Sequence, residues 1–341
     1  MDRIEYQVIR SLSKSSLSLW QIINAQDGDI RSTIAVLKRL KERGFIDSDG
    51  YNITLTSSGR DFVLSYMKEF VDSKCPRCFG TGLIINERFK KTLEDFEKIF
   101  EGRPLESAEF DQGVVPAENS VRRVEFIYKR GDLEGKSILF LGDDDLTSVA
   151  MAMTELPGEI VVIEIDERVV NYINEVSRKL GLNLQAYIYN AVNPLPEELK
   201  GRFDTFLNDP VETVKGIRVF LSRCVAALKG EGSAGYFGLS HYESSLKKWI
   251  QVEKDLLSMN LVITDVLRDF NVYLLTGERI LKEGFRVVVE SPFKPTAPDY
   301  PWYRSTFFRV EVVGCPNPLV TETVEWNRDI YFDEDTYVAL P

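Results

Sequence analysis

The chain has 341 residues, 44% hydrophobic and 28% charged, the ordinary balance of a folded protein with a sizeable core. No run approaches the roughly 18 apolar residues of a membrane span, and the charged start MDRIEYQVIRSL lacks the apolar stretch of a secretory signal, so a cytoplasmic protein is expected. With 53 acidic against 42 basic residues the net charge is −11. That charge repels phosphate backbones, weighs against nucleic acid as the main ligand and favours cationic partners.

Residues 1–72 read as a small helical unit ending in a hairpin. Apolar spacing predicts helices over Ile4–Leu12, Leu19–Asn24 and Ile30–Arg43, the last with Ile34, Leu37 and Leu40 on one face and Gly44 as its stop. Two short strands follow, Phe45-Ile46 and Tyr51–Thr56, around the turn Asp47-Ser48-Asp49-Gly50, and then a closing helix over Gly59–Val71. This is the element order of a winged helix domain. Its third helix carries Arg31, Lys38, Arg39, Lys41 and Arg43, but Asp27, Asp29, Glu42, Asp47 and Asp49 flank them and nearly cancel the field. A dimerisation or substrate-covering role therefore outweighs DNA binding, and a homodimer through this domain is expected.

Residues 73–131 form a knuckle and connector. Cys75-Pro-Arg-Cys78-Phe-Gly80-Thr-Gly82 has the spacing that presents two thiolates to zinc. Cys224, Cys315 and the lone His241 bring no neighbouring partner, four cysteines are too few for a disulfide framework, and no metal site is assigned. A helix is predicted from about Lys90 to Phe100 and a strand over Val121–Lys129.

From residue 132 to the end, strands alternate with helices. Strands are predicted at Ser137–Leu141, Ile160–Ile165, Leu184–Tyr189, Thr205–Leu207 and Ala234–Leu239. The helices between and after them are Leu146–Glu155, Glu167–Leu180, Lys215–Leu228 and Ser244–Met259. An antiparallel end follows at Leu261–Asp269, Tyr273–Leu275 and Phe307–Val313, and the acidic stretch Glu322–Asp335 reads as a mobile tail. Repeated βα units with continuous apolar strands mean an α/β fold with a parallel sheet covered on both faces, Rossmann-like and of the class I methyltransferase type. Ligands then bind at the carboxyl ends of the strands.

The strand ends carry the candidate site. The first ends in Gly142-Asp143-Asp144-Asp145, where a dinucleotide fold would have several glycines. Three acids there repel a pyrophosphate but suit a cationic sulfonium nucleoside with a free amine. Acids at a helix N-terminus also complement its dipole, which accounts for one or two of the three. Glu164 ends the second strand at the position that commonly binds ribose hydroxyls, while Asp166 either joins it or caps the next helix. Asn190, after the third strand, either reads adenine or is plain loop polarity. Asn208-Asp209-Pro210 and Glu212 end the fourth strand and are placed to hold a cationic amine and take its proton. After the fifth strand, His241 reads as a surface loop residue. Tyr300 and Trp302, in Pro298-Asp-Tyr-Pro-Trp-Tyr303, offer rings for the methylenes and ammonium groups of a polyamine, or a hydrophobic plug.

Gly142-Asp143-Asp144-Asp145 with Glu164-Ile-Asp166, Asn208-Asp209-Pro210 and the N-terminal winged helix resembles the branched-chain polyamine synthases, N4-aminopropyltransferases of thermophilic archaea and bacteria. The resemblance spans nearly the whole chain, and the acid triplet after a single glycine is its most specific element. Ordinary spermidine synthases share the second-strand pattern but carry a glycine-rich first turn. The resemblance implies decarboxylated S-adenosylmethionine as co-substrate, no prosthetic group, and spermidine as acceptor of one or two aminopropyl groups. On this reading Gly142, Asp143, Asp144, Glu164, Asp166 and Asn190 bind the donor. Asp145 and Asp209 do the chemistry, and Asn208, Glu212, Tyr300 and Trp302 help hold the acceptor. Acids where the intact methyl donor has its carboxylate discriminate against that commoner metabolite. The competing readings are a methyltransferase acting on an amine or nucleic acid, and a DNA-binding regulator that senses a nucleoside.

Overall fold

The computed structural model describes residues 1–67, 75, 76, 78, 80, 83–107, 110, 112–325 and 327–338. Helices α1 (Arg3–Leu12), α2 (Leu19–Asn24) and α3 (Ile30–Glu42) lead into the antiparallel pair β1 (Ile46–Ser48) and β2 (Ile53–Leu55), then α4 (Ser57–Tyr66). Each of the first three helices starts where a side chain satisfies a free N–H: Asp2 on α1, Ser18 with Gln21 in a reciprocal box on α2, and Asp29 on α3. Their apolar faces close over Val8, Ile22, Ile34 and Leu37. The same cluster takes in Phe285, Val287, Phe293 and Trp302 from far along the chain, so this unit is packed onto the sheet-bearing half. The expected knuckle and the end of the closing helix at Val71 fall largely outside the described residues.

The connector is not a separate piece. Helix α5 (Glu87–Phe100) was expected in outline, but Val121–Lys129 lies within helix α6 (Ala117–Lys129) and is no strand. Ala117, Val121, Val124 and Ile127 recur at helical spacing and bury one face, which outweighs the β-branched content that suggested a strand. Phe89, Phe96, Val121 and Val124 share one core with Phe140 and Val162 of the sheet, so no boundary falls at residue 131.

The remaining elements, apart from short helical turns, are β3 (Ser137–Leu141), α7 (Thr147–Ala152), β4 (Glu159–Glu164), α8 (Glu167–Leu180), β5 (Leu184–Ile188), β6 (Thr205–Asn208), α9 (Val214–Ala227), β7 (Ala234–Leu239), α10 (Leu246–Ser258), β8 (Leu261–Val272) and β9 (Arg304–Val312). They build a seven-stranded sheet in the order β5-β4-β3-β6-β7-β9-β8, parallel except for β9, which runs antiparallel to β7 and β8. The order reverses between β3 and β6, and at such a switch point a crevice opens beyond the strand ends. Tyr273 makes no further strand. It follows β8, and its N–H donates to the Tyr303 carbonyl.

The acidic C-terminal stretch is packed rather than loose. Arg223 donates to the carbonyls of Val320 and Glu322, Thr213 to that of Ile330, and Lys248 pairs with Asp333. Asp335 and Tyr337 are buried. Donors on α9 and α10 thus hold this segment over the strand ends, because a buried donor left short of acceptors is costly. Among the described residues no helix is long and apolar enough to cross a membrane.

Candidate active site

A cavity of about 290 Å³ lies over the switch point, with its walls drawn from the ends of β3, β4, β6 and β7, the loop after β8 and the C-terminal segment. Among the described residues six carboxylates line it, Glu106, Asp144, Glu164, Asp209, Glu212 and Glu243, and Arg279 is the basic side chain there.

The turn after β3 is tight: Gly142 has φ +81° and Leu146, a non-glycine, φ +55°. A bulky residue in the left-handed region stores strain of the kind met at functional sites. The turn sends the three acids to different ends. Asp143 points inward, both its oxygens accepting from the Ser148 N–H at 3.2 Å. Asp145 accepts from the Thr147 N–H and hydroxyl at 3.1 and 2.6 Å, and pairs with Arg123 at 2.5 Å. These two complete the first turn of α7 and do not line the cavity. Asp144 does, and its Oδ2 is buried with no hydrogen-bond partner among the described residues. Burial first, then Asp145 and Glu164, holds its carboxyl well above the usual range.

Glu164 receives two backbone N–H groups, from Asp143 at 3.0 Å and Asp166 at 2.9 Å, which fixes its carboxylate at the cavity edge. Burial raises its pKa, against the pull of those bonds. Asp166 takes the other course left open above: it accepts from the Arg168 N–H at the start of α8, from the Arg168 guanidinium and from Gln112, away from the cavity. Asn190 lines the wall. Its Oδ1 accepts from the Val192 N–H at 3.1 Å, leaving the amide N–H₂ for a ligand.

Asn208 is buried and donates to the Leu141 carbonyl at 2.6 Å, so it ties β6 to β3 instead of meeting a substrate. Asp209 faces the cavity with its Oδ2 held by Tyr273 at 2.7 Å and Arg123 at 3.2 Å. Burial raises its pKa and Arg123 pulls it back. Glu212 accepts from the Ser240 N–H at 2.6 Å, while its Oε2 is buried without a partner among the described residues. Burial and then Glu243 push its pKa well up. Glu243 accepts from the Tyr303 hydroxyl at 2.7 Å, from the Val338 N–H at 2.8 Å and from the Tyr337 N–H, and so anchors the C-terminal segment to the wall.

Several expectations are corrected. Trp302 is fully buried, packed on Trp20 with ring centroids 4.6 Å apart, and lines no part of the cavity. Tyr300 faces Gln21, Asn24 and Ala25 of α2 and its C-cap. The aromatic loop is thus the plug that seats the N-terminal unit, and the ring it offers to the cavity is Tyr303. Asp145, expected to act on the acceptor, is tied to Arg123 behind the wall, and Asp143, Asp166 and Asn208 are likewise turned away from the cavity. His241 is buried, not a surface residue, and burial lowers its pKa to about 3.

Arg123, Tyr273 and Glu243 join the site without a sequence signal that singled them out, and Tyr303 replaces its loop neighbours Tyr300 and Trp302 at the cavity. Arg123 and Tyr273 reach the site only through tertiary packing; the helical spacing around residue 123 was the one signal available.

Residues 91–338 match the family described as the branched-chain polyamine synthase A C-terminal domain. The chain is 36% identical over 331 residues to the N(4)-bis(aminopropyl)spermidine synthase of Thermococcus kodakarensis, covering 96% of this chain and 93% of that one. To the protein of the same name from Methanocaldococcus jannaschii it is 38% identical over 321 residues, 93% of this chain and 89% of that one. The crystal structure of the Thermus thermophilus branched-chain polyamine synthase, in complex with N4-aminopropylspermidine and 5'-methylthioadenosine, superposes with a TM-score of 0.86 at 32% identity over 98% of this chain and 93% of that one. With a single cavity wall of acids at the switch point and likeness along nearly its full length, the chain belongs to the branched-chain polyamine synthase family.

Proposed function

We propose that the protein transfers the aminopropyl group of decarboxylated S-adenosylmethionine to the secondary N4 amine of spermidine, once or twice, and releases methylthioadenosine. The observation that carries this is the pair of buried carboxylate oxygens without a partner among the described residues, Asp144 Oδ2 and Glu212 Oε2, on the wall of one cavity. Such oxygens are costly until a cation meets them, and a polyamine supplies two or more cations on one flexible chain.

Glu164, pre-set by two backbone N–H groups, takes the ribose hydroxyls, and the Asn190 amide reaches the adenine edge. The aminopropyl end then lies toward Asp144 and Asp209. In the reaction the N4 lone pair forms a bond to the methylene beside the sulfonium, the carbon–sulfur bond breaks, and its electron pair leaves sulfur as a neutral thioether. The amine must be unprotonated before attack. An acid on the wall accepts that proton, and of the acids toward which the aminopropyl end lies, Asp144 has the buried oxygen without a partner among the described residues. Asp209, steadied by Arg123 and Tyr273, aligns the amine, while Glu212 beside the Tyr303 ring holds a distal ammonium.

The same acids disfavour a methyltransferase, because the intact methyl donor would bring its carboxylate against Asp144 and Asp209. We take the N-terminal unit to be a winged helix module, the sheet domain to be of the class I methyltransferase type, and the working state to be a cytoplasmic homodimer. Sedimentation of the purified protein tests the last.

Calorimetry with decarboxylated and intact S-adenosylmethionine, followed by mass analysis after adding spermidine, tests the reaction. Tighter binding of the decarboxylated donor and a product heavier by one or two aminopropyl groups are expected. Preference for the intact donor, with a methylated product, would put the methyltransferase in its place.

A further inference from the structure

Arg123 lies behind the cavity wall on α6, with its side chain 2% exposed. Its guanidinium donates to three acceptors from three parts of the fold: Asp145 after β3 at 2.5 Å, Asp209 after β6 at 3.2 Å, and the Asn271 side chain in β8 at 2.8 Å. It also lies over the Phe307 ring, 5.6 Å from the centroid. The Tyr273 hydroxyl completes the cluster, donating to Asp209 at 2.7 Å with Ser305 Oγ 3.0 Å away. A planar fork held on three sides has one orientation, which a lysine in its place does not reproduce.

We propose that Arg123 is a positioning residue: it locks Asp145 and Asp209 into one ion-paired frame, so that Asp144 is left as the unpaired acid that meets the arriving amine. The inference rests on the aminopropyl transfer proposed above and deepens it. Three consecutive acids beside Asp209 form a like-charge cluster which, without a buried cation, is relieved by taking up protons. Arg123 supplies the cation from the side away from the substrate. Two of the carboxylates are then spoken for, and of the 143–145 turn and Asp209 one acid, Asp144, is left to take the proton instead of several that share protons. The charged and titratable groups facing the cluster among the described residues are Asp143, Asp144 and Asp145 from the turn after β3, Glu164 from β4, Asp209 and Glu212 after β6 and Tyr273 after β8. Arg123 is the cation among them.

Arg123→Gln, Arg123→Lys and Tyr273→Phe test this in the full chain. Loss of the fork lets Asp209 drift, and a misplacement near 1 Å costs on the order of 100-fold in kcat. We expect that loss in Arg123→Gln, with methylthioadenosine affinity, read at Glu164 and Asn190, held within about 3-fold. With the cation gone, the carboxylates ionise at higher pH, so the acid limb of kcat/KM moves to higher pH. Arg123→Lys keeps the charge but not the fork: the limb stays near its wild-type position while kcat remains depressed. Unchanged kcat and an unmoved limb in Arg123→Gln would overturn the proposal. If that variant fails to fold, Arg123→Lys and Tyr273→Phe decide it, and wild-type kcat and pH profile in both would overturn it. Absence of aminopropyl transfer by the wild-type protein is the separate result that refutes the proposed reaction.

Discussion

Gly238, in β7, gives access to the position of Asp209 without touching any charge. A Cβ built on Gly238 falls 2.2 Å from Asp209 Oδ1 and 3.1 Å from Ser305 Oγ. The nearest ordinary contact is 3.4 Å, so in Gly238→Ala the Asp209 oxygen must retreat by about 1.2 Å. That oxygen is not the loose end of a surface side chain, because its carboxylate is clamped by Arg123 and Tyr273. The shift breaks or lengthens those bonds and turns the carboxylate away from the reacting amine. A misplacement of about 1 Å costs on the order of 100-fold in rate, about 2.7 kcal/mol of transition-state stabilisation at 1.36 kcal/mol per tenfold. The assay is initial-rate transfer to spermidine, with methylthioadenosine binding and thermal melting on the same samples. The donor half of the cavity is untouched, so nucleoside affinity should hold. Glycine to alanine also restricts the unfolded chain, a gain of about 0.4–1 kcal/mol that partly offsets the clash in the melt. Normal kcat, with Asp209 shown by crystallography to have moved, would refute the role given to that carboxylate.

Asp144→Asn removes the proton acceptor while keeping its shape. Transfer should fall by ~100- to 10,000-fold, and the acid limb of kcat/KM set by the raised Asp144 pKa should flatten; a wild-type limb in the variant would assign the proton to another group. Trp302→Ala should cost about 3–5 kcal/mol of stability by emptying the contact with Trp20, with the KM for spermidine little changed. A raised KM at wild-type stability would instead restore Trp302 to the acceptor site. Asp144 and Glu212 both titrate above their unfolded values, so the folded state holds protons that the unfolded chain has already lost. Stability of the free protein should then fall as pH rises from the ordinary carboxyl range through the raised values. Acceptor polyamine pairs with the ionised forms, so the upward shift in melting temperature on adding spermidine should grow with pH over the same window; a shift that shrinks there would contradict the pairing.

Much was legible in the residues alone. Continuous apolar strands between amphipathic helices determined an α/β sheet, because only a sheet covered on both faces buries such strands. Acids at the ends of three strands, in that chain order, placed a cationic ligand at their carboxyl edge. Glu164, Asp209, Glu212 and Asn190 stand on the cavity wall for that reason. Which member of Asp143-Asp144-Asp145 faces the ligand was not legible, since a turn of alternating direction is set by the backbone at Gly142 and Leu146 and by the free N–H groups of α7. Arg123 was hidden because its partners lie 22, 86 and 148 residues away, and a spacing pattern carries no information about such contacts. Trp302 and Tyr303 are neighbours in sequence, yet one plugs the N-terminal unit and the other faces the cavity. Aromatic composition specifies that rings will be buried. Which ring meets solvent, core or substrate is decided only when distant surfaces compete for it.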